Sequence, residues 1–279
     1  MNTIEKLDRA MVKNDSLVCV GLDPDWSKMP DEYTRDVSPE HREERIYNFL
    51  TTVVDITGKD VCSYKVQKAF FDLYPEGHSL LRNIIQYIHH KYSEVPVFVD
   101  CKIGDIDNTM EAYGSLIFDD LNADGVVLNP YMGEDVLRIV KDRPEKAGIV
   151  LVKTSNESSV QDLKAFDGRR MWEHVLDATV NEWNTSKNLI PVLSSLAEYS
   201  EKPRLNIPND VPILLAGYGA QGGDASNITD FLNNQKRGVF INSSRKILYP
   251  YSAEDVNWRD NVALEVKRMK AEINKHRDE

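Results

Sequence analysis

VFVDCKIGDIDNT, residues 97–109, begins as an apolar run and ends crowded with charge. Side chains alternate between the two faces of a strand, so Phe98, Asp100 and Lys102 share one face and Val97, Val99 and Cys101 the other. The second face is wholly apolar and should meet a layer of helix. The first ends in a carboxylate and an ammonium. A lone buried charge is expensive, so Asp100 and Lys102 must pair with each other or with a ligand.

Working outward, seven more short runs rich in Val, Ile and Leu recur along the chain. They are LVCVGLD (17–23), VCSYKVQ (61–67), GVVLNP (125–130), GIVLVKTS (148–155), LIPVLSS (189–195), VPILLAG (211–217) and GVFINSS (238–244). Between them lie helical patterns such as HSLLRNIIQYIHHKY, in which Leu80, Ile84, Ile88 and Tyr92 repeat every four residues. Ile4, Leu7 and Met11 keep a similar spacing and predict an N-terminal helix lying on the body of the protein. Eight strand–helix units predict an α/β fold, a single-domain (β/α)8 TIM barrel over 1–279. A doubly wound open sheet is the alternative. The stretch 197–210, with two prolines and weak periodicity, reads as an irregular connection.

With 34 Lys plus Arg against 45 Asp plus Glu, the net charge of −11 argues against a nucleic-acid partner, whose phosphates need basic surface. No stretch is apolar and long enough to span a membrane, and the charged N-terminus is no secretory signal. Cys19, Cys62 and Cys101 are few, odd in number and widely separated, which predicts buried reduced thiols and a cytoplasmic setting. The six histidines all fall outside the strand ends, against a histidine base or a histidine-ligated zinc. Neither a nucleophile elbow nor a dinucleotide fingerprint is present.

A barrel places chemistry at the carboxyl ends of its strands, and phosphate after strands seven and eight. The charges fall there. Lys65 lies near the end of the second strand, Asp23 at the end of the first, and Asp105 three residues past Lys102. AGYGAQGGD follows strand seven, with Gly217, Gly219, Gly222 and Gly223 around Gln221; glycines let a backbone approach an anion. Arg245 follows strand eight and could grip phosphate with its fork. Each feature has a plainer reading. Asp105, Asn108 or Thr109 could cap a helix beginning near Met110. Asp100 and Lys102 could be a structural ion pair, the glycine loop a tight turn, and Arg245 a solvated charge.

Taken together, CVGLDPD, SYKVQKAFFD, VDCKIGDIDNT, VKTSN, GYGAQGG and INSSR, in this order from Asp23 to Arg245, resemble the orotidine 5′-phosphate decarboxylase family in its longer branch. The resemblance implies a catalytic array of Lys65, Asp100, Lys102 and Asp105, with Asp100 set against the substrate's carboxylate and Lys102 protonating C6. It also implies substrate contacts. Asp23 would bind the ribose hydroxyl, Ser155 the pyrimidine amide, and Gln221, Gly223 and Arg245 the phosphate. Finally it implies a homodimer in which Asp105, Ile106 and Thr109 reach the partner's site, with no metal or organic cofactor. Three departures from the family's usual pattern stand beside these residues: Asp107, Ala216 and Glu157-Ser158-Ser159. A barrel carrying the same motif but acting on sugar phosphates with Mg2+ is the rival enzyme, and a nucleotide-binding barrel without turnover the rival from another class.

Overall fold

The computed structural model describes residues 1–156, 160–199, 201–218 and 227–279. All eight expected strands form: β1 Val18–Gly21, β2 Ser63–Gln67, β3 Val97–Ile103, β4 Gly125–Leu128, β5 Ala147–Leu151, β6 Leu189–Ser194, β7 Ile213–Ala216 and β8 Val239–Ser243. Each pairs in parallel with the next, and β8 returns to β1, so the sheet closes into a barrel rather than staying open. Closure removes the unpaired edges that an open sheet would leave.

Phe98 and Phe240 show how the barrel interior is filled. β3 and β8 are not hydrogen-bonded neighbours, yet these rings lie 5.5 Å apart, so they meet across the lumen. Both are fully buried. The first residue of β4 is glycine for this reason: a Cβ on Gly125 would stand 2.9 Å from Phe98 Cδ1 and 2.7 Å from the Ala147 carbonyl oxygen. With Phe98 facing inward, the alternation turns Asp100 inward too, one layer nearer the carboxyl end.

Outside the barrel, the 78–92 pattern becomes the helix Gly77–Lys91, which buries Leu80, Ile84 and Ile88 as expected, while Tyr92 ends it half-buried. The N-terminal helix Thr3–Lys13 buries Leu7 and Met11 and is closed at its start by a reciprocal cap between Asn2 and Glu5. It seals the end of the barrel opposite the charged strand ends. There Asp124, just before β4, takes Lys6 on one oxygen at 2.7 Å and His89 on the other at 2.8 Å. The Val97 amide donates to the same carboxylate at 2.8 Å. Among its described residues, the stretch 197–210 carries only the short 3-10 turn Pro203–Asn206, as its prolines suggested. Among the described residues, no helix is long and apolar enough to cross a membrane.

Candidate active site

The strand register sets the first geometry. Gly21 stands opposite Lys65 and Gln67 opposite Asp100, so the ends of β1, β2 and β3 rise together on one side of the barrel mouth. Asp100 lies between two ammonium groups. Its Oδ2 accepts from Lys65 Nζ at 2.9 Å and its Oδ1 from Lys102 Nζ at 2.7 Å. The two lysines differ in setting, since the Lys65 side chain is only 9% exposed and Asp100 8%, but Lys102 is 46% exposed. Lys65 is thus a buried charge with a structural need for its partner, and Lys102 projects into the cleft.

The electrostatics follow. Burial opposes the Asp100 carboxylate, but Lys65 and then Lys102 outweigh it and hold it below the usual carboxylate range. Burial likewise acts to discharge Lys65, yet Asp100 and Asp23 prevail and hold its ammonium above the usual lysine range. Asp23 sits just beyond β1, its Oδ1 accepting the Gln67 amide at 3.2 Å.

Lys102 reaches Asp100 by a route that strict alternation does not describe. The β3–β4 register slips between Val99 and Ile103, and Lys102 itself adopts φ +46°. A bulge of this kind re-aims a side chain at the end of a strand, and a non-glycine residue in the left-handed region costs about 1–3 kcal/mol. Cys101, beside the bulge, is half-buried rather than buried, although burial still pushes its thiol up to about 11. Cys19 and Cys62 are fully buried, and all three thiols are free.

A cleft of ≈ 1450 Å³ opens over these groups. Asp23, Lys65, Asp100 and Lys102 line it together with Ser155, and Arg245 lines it from the start of the short helix Arg245–Leu248, after β8, the strand paired with β1. Before the loop after β7, Gly217 has φ +98°, a backbone that other residues rarely adopt. Gln221 and Gly223 lie outside the described residues, as does Glu157. Ala216 ends β7, and its carbonyl accepts both the amide and the hydroxyl of Ser195.

Asp105, Ile106 and Thr109 are not brought to the cleft. They sit on the segment after β3, with Ile106 40% exposed and Thr109 exposed as well. The capping role open to Asp105, Asn108 or Thr109 is not taken. The helix runs Asp107–Gly114, three residues earlier than expected, with Ile106 at its cap position and no side-chain cap. Asp105 instead accepts its neighbour's amide, Ile106 N–H, at 2.8 Å. Asp107 has φ +47° and lies 3.7 Å from Arg138, which also binds Glu111 at 2.9 Å.

Two features escaped the sequence reading. Lys153, buried two residues before Ser155, is paired with Asp162, which also holds Arg170 at 3.2 Å. The Gln161 side chain accepts the Thr154 amide at 2.8 Å, so the segment after β5 is strapped down beside Ser155. Tyr249, at the end of NSSRKILY, spans from the β8 turn to the β1 loop, where its hydroxyl bridges Asp23 and Asp25. Lys153 lies inside VKTSN, where nothing local marks its partner nine positions on. For Tyr249 there was no local signal, because its partners are more than 220 positions away.

Comparisons with known proteins agree with the closed barrel and identify the family. A sequence profile described as Orotidine 5′-phosphate decarboxylase / HUMPS family matches residues 16–255. The chain is 37% identical over 252 residues to an orotidine 5′-phosphate decarboxylase of Dechloromonas aromatica, covering 89% of this chain and 90% of the relative. It is 34% identical over 281 residues to the protein of that name from Ralstonia nicotianae, end to end in both. Among solved structures, a putative orotidine-monophosphate-decarboxylase of Toxoplasma gondii superposes with a TM-score of 0.85 at 29% identity, covering 99% of this chain and 97% of that one. The Leishmania donovani OMP decarboxylase gives 0.80 at 28%, over the whole of both chains.

Proposed function

The chain belongs to the orotidine 5′-phosphate decarboxylase / HUMPS family, and from that premise we propose that it converts orotidine 5′-phosphate to uridine 5′-phosphate and CO2, the closing step of UMP synthesis. The observation that carries this reading is Asp100 held between Lys65 and Lys102 on the wall of a cleft large enough for a nucleotide. The enzyme acts as one (β/α)8-barrel domain of the cytoplasm.

Loss of CO2 leaves an electron pair on C6, with no neighbouring carbonyl or imine to absorb it. A fixed ammonium at that carbon stabilises the charge as it forms and then supplies the proton. Lys102 has the place and freedom for this, since it projects into the cleft and is tethered through Asp100. Lys65 keeps Asp100 ionised and aimed. Asp100 against the substrate's own carboxylate raises the ground state. Arg245, with Gln221 and Gly223, grips the phosphate; Asp23 takes the ribose hydroxyl and Ser155 the pyrimidine amide. Binding energy from the remote phosphate then holds the strained arrangement at C6. No cofactor enters this scheme.

The array's fourth member comes from a second copy of the chain. Asp105, Ile106 and Thr109 do not line this chain's own cleft, so in a homodimer they can complete the partner's site. Support comes from apolar side chains left in solvent after β3 and β4, Ile106 and Met132.

The test is orotidine 5′-phosphate consumption, followed by absorbance with purified protein in excess EDTA. Conversion to uridine 5′-phosphate is expected. Activity that appears only with Mg2+ and a sugar phosphate would replace this reading with the metal-dependent one. Tight nucleotide binding without turnover would replace it with a binding protein.

A further inference from the structure

Tyr249 joins two walls of the cleft that the chain reaches at opposite ends of its length. Its hydroxyl accepts the Asp25 amide at 2.7 Å and donates to the Asp23 carbonyl at 3.1 Å. Its own amide donates to the Arg245 carbonyl at 3.0 Å. The ring is held flat against Phe49, at 6.0 Å and 12° between planes, and edge-on to Tyr251. The β1 loop is pinned again from β2, through Gln67 N–H on Asp23 Oδ1. Asp25 in turn holds Lys28 at 2.7 Å, and Lys28 also lines the cleft. One phenol thus fixes the carbonyl of Asp23 relative to the turn that carries Arg245.

We propose that Tyr249 is a positioning residue, which sets the spacing between Asp23 and Arg245 so that one nucleotide is held at its sugar and its phosphate together. The inference deepens the reading of the cleft as a nucleotide site and rests on it. A ligand gripped at two points gains the full worth of the second contact only when the two anchors are already the right distance apart. Loops that must first be ordered spend part of that contact on their own entropy. The Tyr249 ring alone packs the core; the hydroxyl alone ties the loop.

Tyr249→Phe separates the two, because it keeps the ring and removes the bridge. Uridine 5′-phosphate affinity by calorimetry, and KM and kcat for orotidine 5′-phosphate, are measured for wild type, Tyr249→Phe, Asp23→Ala and the double variant. Tyr249→Phe is expected to weaken the nucleotide roughly 3- to 15-fold, the worth of about one net hydrogen bond. KM should rise more than kcat falls. In the Asp23→Ala background the same change should cost less than about twofold, since sites that act through one another are not additive. An equal penalty in both backgrounds, or none in either, overturns the positioning role. Amide exchange in the wild-type protein is a check that needs no variant: the Asp25 amide should be protected, and more so with uridine 5′-phosphate bound. Unprotected exchange there also overturns it. A wild type that binds uridine 5′-phosphate with this pattern but turns nothing over leaves the inference standing and removes the decarboxylase. A wild type that does not bind the nucleotide removes both.

Discussion

Replacing Asp100 by Asn keeps the shape of the side chain but removes the charge between Lys65 and Lys102. The two lysines should not suffer equally. Lys102 is nearly half exposed, so water screens its loss and its share is within about 0–1 kcal/mol. Lys65 is 9% exposed and would be left as a buried ammonium facing a neutral amide, with Asp23 as its remaining carboxylate neighbour. Breaking a buried pair from one side costs about 3–5 kcal/mol, and the hydrogen bond an amide oxygen can still accept argues for the lower end. A loss of about 3 kcal/mol corresponds to a fall in Tm of roughly 6–12 °C for a chain of this size. The pH dependence has two limbs. Asp100 is depressed when folded, so its contribution is present above the unfolded carboxylate value and lost as pH falls through the folded one. Lys65 is raised, so its contribution is present below the unfolded lysine value and lost as pH rises through the folded one. The gap in Tm between wild type and variant should therefore be flat from about pH 5 to pH 9 and close in acid. Calorimetry across that range is the assay, with Lys65→Met/Asp100→Asn as the control expected to recover much of the loss. A Tm for Asp100→Asn within about 2 °C of wild type at pH 7, or a double variant as unstable as the sum of the singles, would refute the account of Asp100 as the counter-charge of Lys65.

Lys102→Ala should abolish turnover while leaving uridine 5′-phosphate affinity within a fewfold of wild type by calorimetry; near-normal kcat would remove its role as proton donor. Asp105→Ala and Lys102→Ala proteins, each inactive alone, should recover about a quarter of wild-type activity when mixed one to one and allowed to exchange subunits, because half the dimers then hold one intact site. No recovery from mixed dimers shown to form would count against sites shared across the interface. At the closed end of the barrel, burial opposes the Asp124 carboxylate but His89 and Lys6 hold it below the usual range, so its contribution is lost as pH falls through the folded value. Asp124→Asn should lower Tm at pH 7, and the gap to wild type should narrow as pH falls below the unfolded carboxylate value in thermal melts; a gap that does not narrow in acid would exclude the clamp.

The strands were legible because each lies in a short run rich in Val, Ile and Leu whose neighbours are set by order along the chain, and the closed parallel barrel pairs each run with the next. The charged groups were legible for the same reason, since Lys65, Asp100 and Asp23 are where strand ends place them. What stayed hidden depends on contacts remote in sequence. Tyr249 reaches a loop 226 positions earlier, and no periodicity records that. The Asp107–Gly114 helix starts early without any side-chain cap, so the capping signs at Asn108 and Thr109 misplaced its first turn.

Lys102 is where the two kinds of information meet. Alternation rightly placed it with Asp100, but for an incomplete reason: a regular strand would stand both side chains in file, whereas the chain breaks register after Val99 and turns Lys102 to φ +46°. That backbone is costly for a lysine, and a glycine there would relieve it at the loss of the ammonium. The cost is sustained because Asp100, fixed from behind by Lys65, draws the Lys102 amine back to 2.7 Å while its stem lies toward the cleft. Local propensity alone would not select this conformation. The pairing over-determines it, and strain held in this way, at the ammonium that projects from the buried pair into the cleft, is what the proposed role of Lys102 as proton donor would require.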